Sequence, residues 1–168
     1  MKQLKTLLLA TVVCLGTISF SQAQSKVAHI NTEDLISAMP EYKAAQAQLE
    51  TLGKTYQADL QNMSTEFQKL VKQYEAEAPT KTDEENAKRS QEVQEKEQNI
   101  RQYNATAQQD MQKKQVDLLK PITEKAKAAI LKVGRAQGFD YVLDSSQGVV
   151  ILTDGKNLLD DVKKELGI

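Results

Sequence analysis

From Tyr42 to Tyr74 the apolar residues fall at Tyr42, Ala45, Leu49, Leu52, Tyr56, Leu60, Met63, Phe67, Leu70 and Tyr74, in uninterrupted steps of three and four. Strand side chains alternate between two faces, so no strand presents such a series on one side. An α-helix does, as a single seam. Most residues between these positions are charged or carboxamides and nearly all the rest are small, which leaves one narrow stripe to bury, with the period of a coiled coil. An extra four-residue step near Leu60 is expected to relax the supercoil there. A second series, Ala87, Val93, Ile100, Tyr103, Ala107, Met111, Leu118, Ile122, Ala126, Ala129 and Val133, keeps a helical period up to Gly134 or Gly138.

Between the two series the pattern breaks at Ala78-Pro79-Thr80-Lys81. Thr82-Asp83-Glu84-Glu85 follows as a capping box, with Thr82 as N-cap and Glu85 at the third helical position. Pro40 and Pro121, read as helix breakers, lie equidistant from 80.5, inside this turn. Two equal arms doubling back there would place Leu52 beside Gln109, Met63 beside Gln98 and Leu70 beside Gln91. Arms of about 39 residues would reach ~58 Å. With aromatics at 5% and no tryptophan, a large globular core is hard to build, so the hairpin must project. Each apolar-on-glutamine layer forgoes roughly 1–2 kcal/mol of burial relative to leucine on leucine, which predicts arms that bend and splay.

The flanks read as a small mixed body. Lys26 to Asn31 is a strand, and Asn31 or Thr32 caps a helix with Glu33 and Asp34 in its first turn and Leu35, Ile36 and Met39 on its buried side. After Gly138 the period becomes strand-like, with Phe139 to Leu143, a turn at Ser145 to Gly148, and Val149 to Thr153 predicting a β-hairpin. Asn157 to Leu166 predicts a closing helix. The fold class is therefore α+β and predominantly helical: residues 40–121 form a long antiparallel helical hairpin, and residues 24–39 and 122–168 form a three-stranded body. Val27, Ile30, Val142, Val149 and Ile151 are its expected core and oligomer contacts. The apolar run Val149 to Leu152 has no polar side, so association through the sheet is expected.

Residues 1–23 read as a secretory signal peptide: Lys2 and Lys5, an apolar stretch from Leu7 to Phe20, then Ser21-Gln22-Ala23 for cleavage near Ala23. The apolar stretch is short for a membrane span. Cys14, the only cysteine, falls within it, so no disulfide is expected in the mature chain. Val13 stands where a lipid-attachment signal needs a small residue. Loss of Lys2 and Lys5 leaves 20 basic against 23 acidic side chains, a balance that argues against nucleic acid as a partner.

The opening Lys26-Val27-Ala28-His29-Ile30-Asn31-Thr32-Glu33, then Met39-Pro40-Glu41-Tyr42-Lys43-Ala44-Ala45, resembles the periplasmic chaperone family Skp/OmpH. Gly138-Phe139-Asp140-Tyr141-Val142-Leu143-Asp144 and Leu158-Leu159-Asp160-Asp161-Val162 are similar too. The resemblance spans the mature chain, although the arms match in character more than in motif. It implies a homotrimer with sheets joined in a central barrel, three hairpins enclosing a cavity for unfolded outer-membrane proteins, and no use of nucleotide. The best-known members are strongly basic and this chain is acidic, so no lipopolysaccharide site is carried over, and membrane contact is expected to be peripheral at most.

The function expected is that of an ATP-independent periplasmic holdase, with a coiled-coil spacer or adaptor of the cell envelope as the alternative. Met63, Phe67, Tyr74 and Tyr103 are the candidate client contacts, being adaptable apolar groups on the arms. The blander reading is that these four only pack one arm on the other. No enzyme is expected, since no catalytic, metal or cofactor motif occurs. His29 stands alone. Asp140, Asp144, Asp154, Asp160 and Asp161 lack calcium-loop spacing and suit turns and caps. Asn62-Met63-Ser64 and Asn104-Ala105-Thr106 match the glycosylation tripeptide but fall within helices.

Overall fold

A strand, β1 (Val27–Ile30), feeds a short helix, α1 (Thr32–Ala38), through Asn31, whose Oδ1 accepts the Asp34 N–H at 3.1 Å. The computed structural model describes residues 25–168, so the expected signal peptide, with Cys14, lies outside the described residues. Met39 is extended, and Pro40 opens helix α2 (Pro40–Glu77) at its first turn, where a missing N–H costs nothing. The 38 residues of α2 make a rod of about 57 Å. A single 3₁₀ turn (Ala78–Thr80) follows, and Thr82 caps helix α3 (Asp83–Ala136). The capping box forms as expected: Thr82 Oγ1 accepts the Glu85 N–H at 3.2 Å, and Glu85 Oε2 accepts the Thr82 N–H at 3.0 Å.

All ten seam positions of α2 are half-buried or buried, and on α3 every predicted seam position except Ala87 is. The register differs from expectation because Pro121 breaks nothing. Helix α3 passes through it unbroken. Pro121 and Asp117, whose carbonyl loses its intrahelical partner, are both exposed, so water can satisfy that oxygen. Pro121 therefore does not mark the foot of the arm. Cross-arm pairs Glu41 with Lys125, Tyr56 with Asp110, Tyr74 with Glu92 and Glu77 with Arg89 are centred on residue 83 rather than 80.5, while Asp59 with Tyr103 is centred on 81.

The hairpin returns the chain to β1, where β2 (Tyr141–Asp144) and β3 (Lys156–Asn157) flank it in the order β2-β1-β3, both parallel to it. Three strands were expected, but not this arrangement. Val149 to Thr153 is not a strand, and no antiparallel hairpin forms. The reason is topological: β2 ends beside Ile30, and a third strand parallel to β1 must begin again near Ala28, so residues 145–155 are spent on the return path. Gly155 completes it where a Cβ would stand 3.3 Å from the Val27 carbonyl oxygen. The closing helix α4 (Leu159–Leu166) starts two residues later than predicted.

The core lies under one face of the sheet. Ala28 and Ile30 of β1, Leu35 of α1, Met39, Leu158 just before α4 and Val162 within it are essentially inaccessible, and Ala126, Ala129 and Val133 of α3 close over them. Gly134 lets α3 settle on β2, since a Cβ there would come within 3.0 Å of Val142 Cγ2. Asp144 accepts the Thr32 hydroxyl at 2.6 Å, which ties β2 to α1, and the Ser146 N–H of its own loop at 2.9 Å. Burial pushes its carboxyl up, yet these donors hold it below the ordinary aspartate value. Of the expected core residues, Ile30 is buried and Val142 packs against the core. Val27 points to the opposite face, and Val149 and Ile151, at 80% and 97% exposure, lie outside the core of the chain.

Candidate functional site

Clefts open between the arms at three levels among the described residues, one of about 360 Å³ at the foot, between Ala45 and Ile122, and two further out. Between Ala45 at the foot and the tip, α2 has no fully buried residue, and α3 has only Ala107 before Ile122. The seam is therefore open along most of its length. Nearer the tip, a cleft of about 320 Å³ is lined by Met63, Phe67, Leu70 and Ile100, with Glu66, Glu92 and Lys96 among its other walls. Midway along the arms a larger one of about 620 Å³ is lined by five residues from each helix. Met63 and Phe67, two of the four candidate contacts, thus share one cleft.

Tyr74 and Tyr103 are placed differently. The Tyr103 hydroxyl donates to Asp59 across the arms at 2.6 Å, and Tyr74 donates to Glu92 at 2.6 Å. Tyr56, which the seam pattern treated as apolar filling, donates to Asp110 at 2.7 Å and meets the Tyr103 ring edge-to-face at 6.0 Å. At the tip the Arg89 guanidinium lies 4.5 Å from the centre of the Tyr74 ring and pairs with Glu77 at 2.5 Å. Three tyrosine–carboxylate rungs therefore join the arms where leucines are sparse. A signal was present in the sequence: a seam tyrosine needs a partner for its hydroxyl, and acidic residues on the facing arm supply one.

Each rung raises its tyrosine. Hydrogen bonding to Asp59, then burial and the Asp59 charge, push Tyr103 up to about 12. Asp110 and Glu92 raise Tyr56 and Tyr74 by the same cause. A folded-state value above the unfolded one near 10 means that the stabilisation is whole below pH 10 and disappears as pH climbs through the folded value. Arm separation, read by paired spin labels at Leu49 and Gln112, is therefore expected to grow between about pH 10 and 12, together with tyrosinate absorbance. Tyrosinate formation at constant arm separation would show that the rungs hold nothing.

The body offers a second surface. Register pairs Val27 with Tyr141 and His29 with Leu143, so these four share the sheet face turned away from the core. Val27, Tyr141 and Leu143 are 43%, 59% and 42% exposed, and Val149, Ile151 and Leu152 are exposed as well. His29 Nδ1 is buried without a hydrogen-bond partner. No group of acidic, histidine or cysteine side chains among the described residues could hold a metal ion.

This architecture has relatives. A chain described as Chaperone protein Skp from Photorhabdus luminescens is 26% identical over 154 residues, covering 92% of this chain and 93% of that one. A Chaperone protein Skp from Photorhabdus laumondii is 25% identical over 146 residues, covering 87% and 88%. A crystal structure from Caulobacter crescentus CB15, described as OmpH-like, superposes with a TM-score of 0.75 at 18% identity, covering 87% of this chain and 86% of that one, which establishes the shared fold. The model of the family "Outer membrane protein (OmpH-like)" matches residues 26–166, and the chain belongs to that family.

Proposed function

We propose that this protein is an ATP-independent holdase of the periplasm that binds unfolded outer-membrane proteins between its helical arms and so prevents their aggregation. The observation that carries this reading is the open seam: a rod built only to span a distance would close its apolar stripe, whereas this one leaves clefts of about 620 and 320 Å³ along it. Met63 and Phe67 supply adaptable contacts in the smaller cleft, while Tyr74 and Tyr103 act chiefly in holding the arms together. Relatives described as Skp chaperones support the assignment.

The working form is a homotrimer. Its support is the apolar outer face of the sheet, which a lone chain leaves in water together with Ile151 and Leu152. Association there would gather three hairpins at one end and enclose a space between them. The mature protein starts near Gln24, after export.

Light scattering tests the reading directly. The mature protein is expected to suppress aggregation of a urea-unfolded outer-membrane β-barrel on dilution, saturating near one trimer per client. A folded protein that leaves the scattering unchanged would point instead to a spacer or adaptor of the envelope.

A further inference from the structure

The larger arm cleft has a regularity that the apolar seam does not explain. Its walls are Gly53, Tyr56, Gln57, Leu60 and Gln61 from α2, and Asn104, Ala107, Gln108, Met111 and Gln112 from α3. Both sets follow the same spacing, i, i+3, i+4, i+7 and i+8, so each is one helical face two turns long. The floor, Gly53, Tyr56, Leu60, Ala107 and Met111, is half-buried or buried. The rim, Gln57, Gln61, Asn104, Gln108 and Gln112, is exposed.

All five rim residues are carboxamides and none of the ten lining residues is charged, in a chain where 27% of residues are. The smaller cleft, by contrast, has Glu66, Glu92 and Lys96 in its walls. A carboxamide offers a donor and an acceptor side by side, the same pair that a peptide group presents. The rim amides have little competing business: Gln61 reaches Thr65 only at 3.5 Å, and Gln108 reaches Asn104 at 3.4 Å. Gly53 and Ala107 keep the floor low, with a Cβ at Gly53 meeting only Met111 Cε at 3.8 Å.

We infer that this groove binds an extended, uncharged stretch of polypeptide, its backbone hydrogen-bonded by the carboxamide rim and its alternate side chains set on the apolar floor. The inference rests on the holdase reading and names what one site of it takes. Lining residues eight positions apart give a groove about 12 Å long, and extended chain advances about 3.3 Å per residue, so roughly four residues fit. Strands destined for a membrane β-barrel alternate apolar and polar side chains and have unsatisfied backbone groups while unfolded, so their uncharged stretches have the required chemistry. An uncharged rim also avoids desolvating a fixed ion for each new sequence, so recognition follows backbone rather than side chain.

The test is fluorescence anisotropy on the full mature chain, with a capped, fluorophore-labelled decapeptide alternating valine and threonine. The parent chain is expected to bind it, and the same peptide N-methylated at alternate amides to bind about tenfold more weakly. Gly53→Leu, which fills the floor, and Gln112→Glu, which charges the exposed rim, are each expected to weaken binding of the unmethylated peptide by about tenfold. Should Gly53→Leu lose helicity, Gln112→Glu decides. Peptide affinities equal within about twofold across the methylated probe and the folded variants would overturn the groove. So would absence of peptide binding to a parent chain that still suppresses β-barrel aggregation, a result that leaves the holdase reading standing. Peptide binding with the expected losses, but no suppression of aggregation, would uphold the groove and remove the holdase.

Discussion

Leu35→Ala is expected to destabilise the protein by about 2–5 kcal/mol in urea unfolding followed by circular dichroism, and in doing so to remove much of its stability. Leu35 is 0% exposed and sits where α1, the inner sheet face and α4 meet, with Ile30, Met39, Leu158 and Val162 around it. These are the largest fully buried side chains of the described residues, and every one of them is in the body or at its junction with α2. The arms contribute length but little closed core. Leu70→Ala, in a half-buried seam position beside the smaller cleft, is accordingly expected to cost only about 1 kcal/mol. If the arm substitution proves the costlier of the two, stability resides in the rods and the body is a passenger.

That contrast also explains which parts of the fold were legible in the sequence. The arms were, because a helical seam is a local, periodic signal repeated over many turns, and the capping box at Thr82 and Glu85 ends one arm and begins the other by short-range chemistry alone. The first strand, an α1 cap at Asn31 or Thr32 and the buried side of α1 were legible for the same reason, and the structure gives the cap to Asn31. Pro121 misled because a proline inside a helix is tolerated where its orphaned carbonyl can reach water, and exposure cannot be seen in a linear pattern. The arm register inherited that error.

The body was harder. Val149 to Leu152 has every local mark of a strand, yet strand pairing is decided by distant partners, and a parallel β3 at Lys156–Asn157 needs those residues as connection. A two-residue strand gives no periodicity to detect. At the candidate site, spacing marked Met63 and Phe67 as seam residues and the structure places both in one cleft, but the tyrosine rungs need the register of the facing helix, which the displaced axis obscured for Tyr56 with Asp110. The carboxamide groove is legible in retrospect as two matching five-residue faces. It becomes a groove only once the arms are paired.

Ile151→Asp is expected to turn the proposed trimer into separate chains without harming the fold of any one of them, as sedimentation velocity and circular dichroism would show together. Ile151 is 97% exposed, so an aspartate there meets water in the lone chain and loses no internal contact. Association that covers Ile151 along with the outer sheet face, as proposed, would instead take one unpaired carboxylate per copy out of water, at a cost of about several kcal/mol each. Three such penalties in one assembly outweigh what a small apolar interface gains. The proposed cage between the arms requires that assembly, so suppression of β-barrel aggregation should fall with it, while the short peptide, held in the proposed groove of a single hairpin, should bind as before. A trimer of undiminished affinity would place the subunit contact elsewhere on the body, and a parent chain that sediments as a monomer would leave Val27, Tyr141, Leu143 and Ile151 without the partner their exposure calls for.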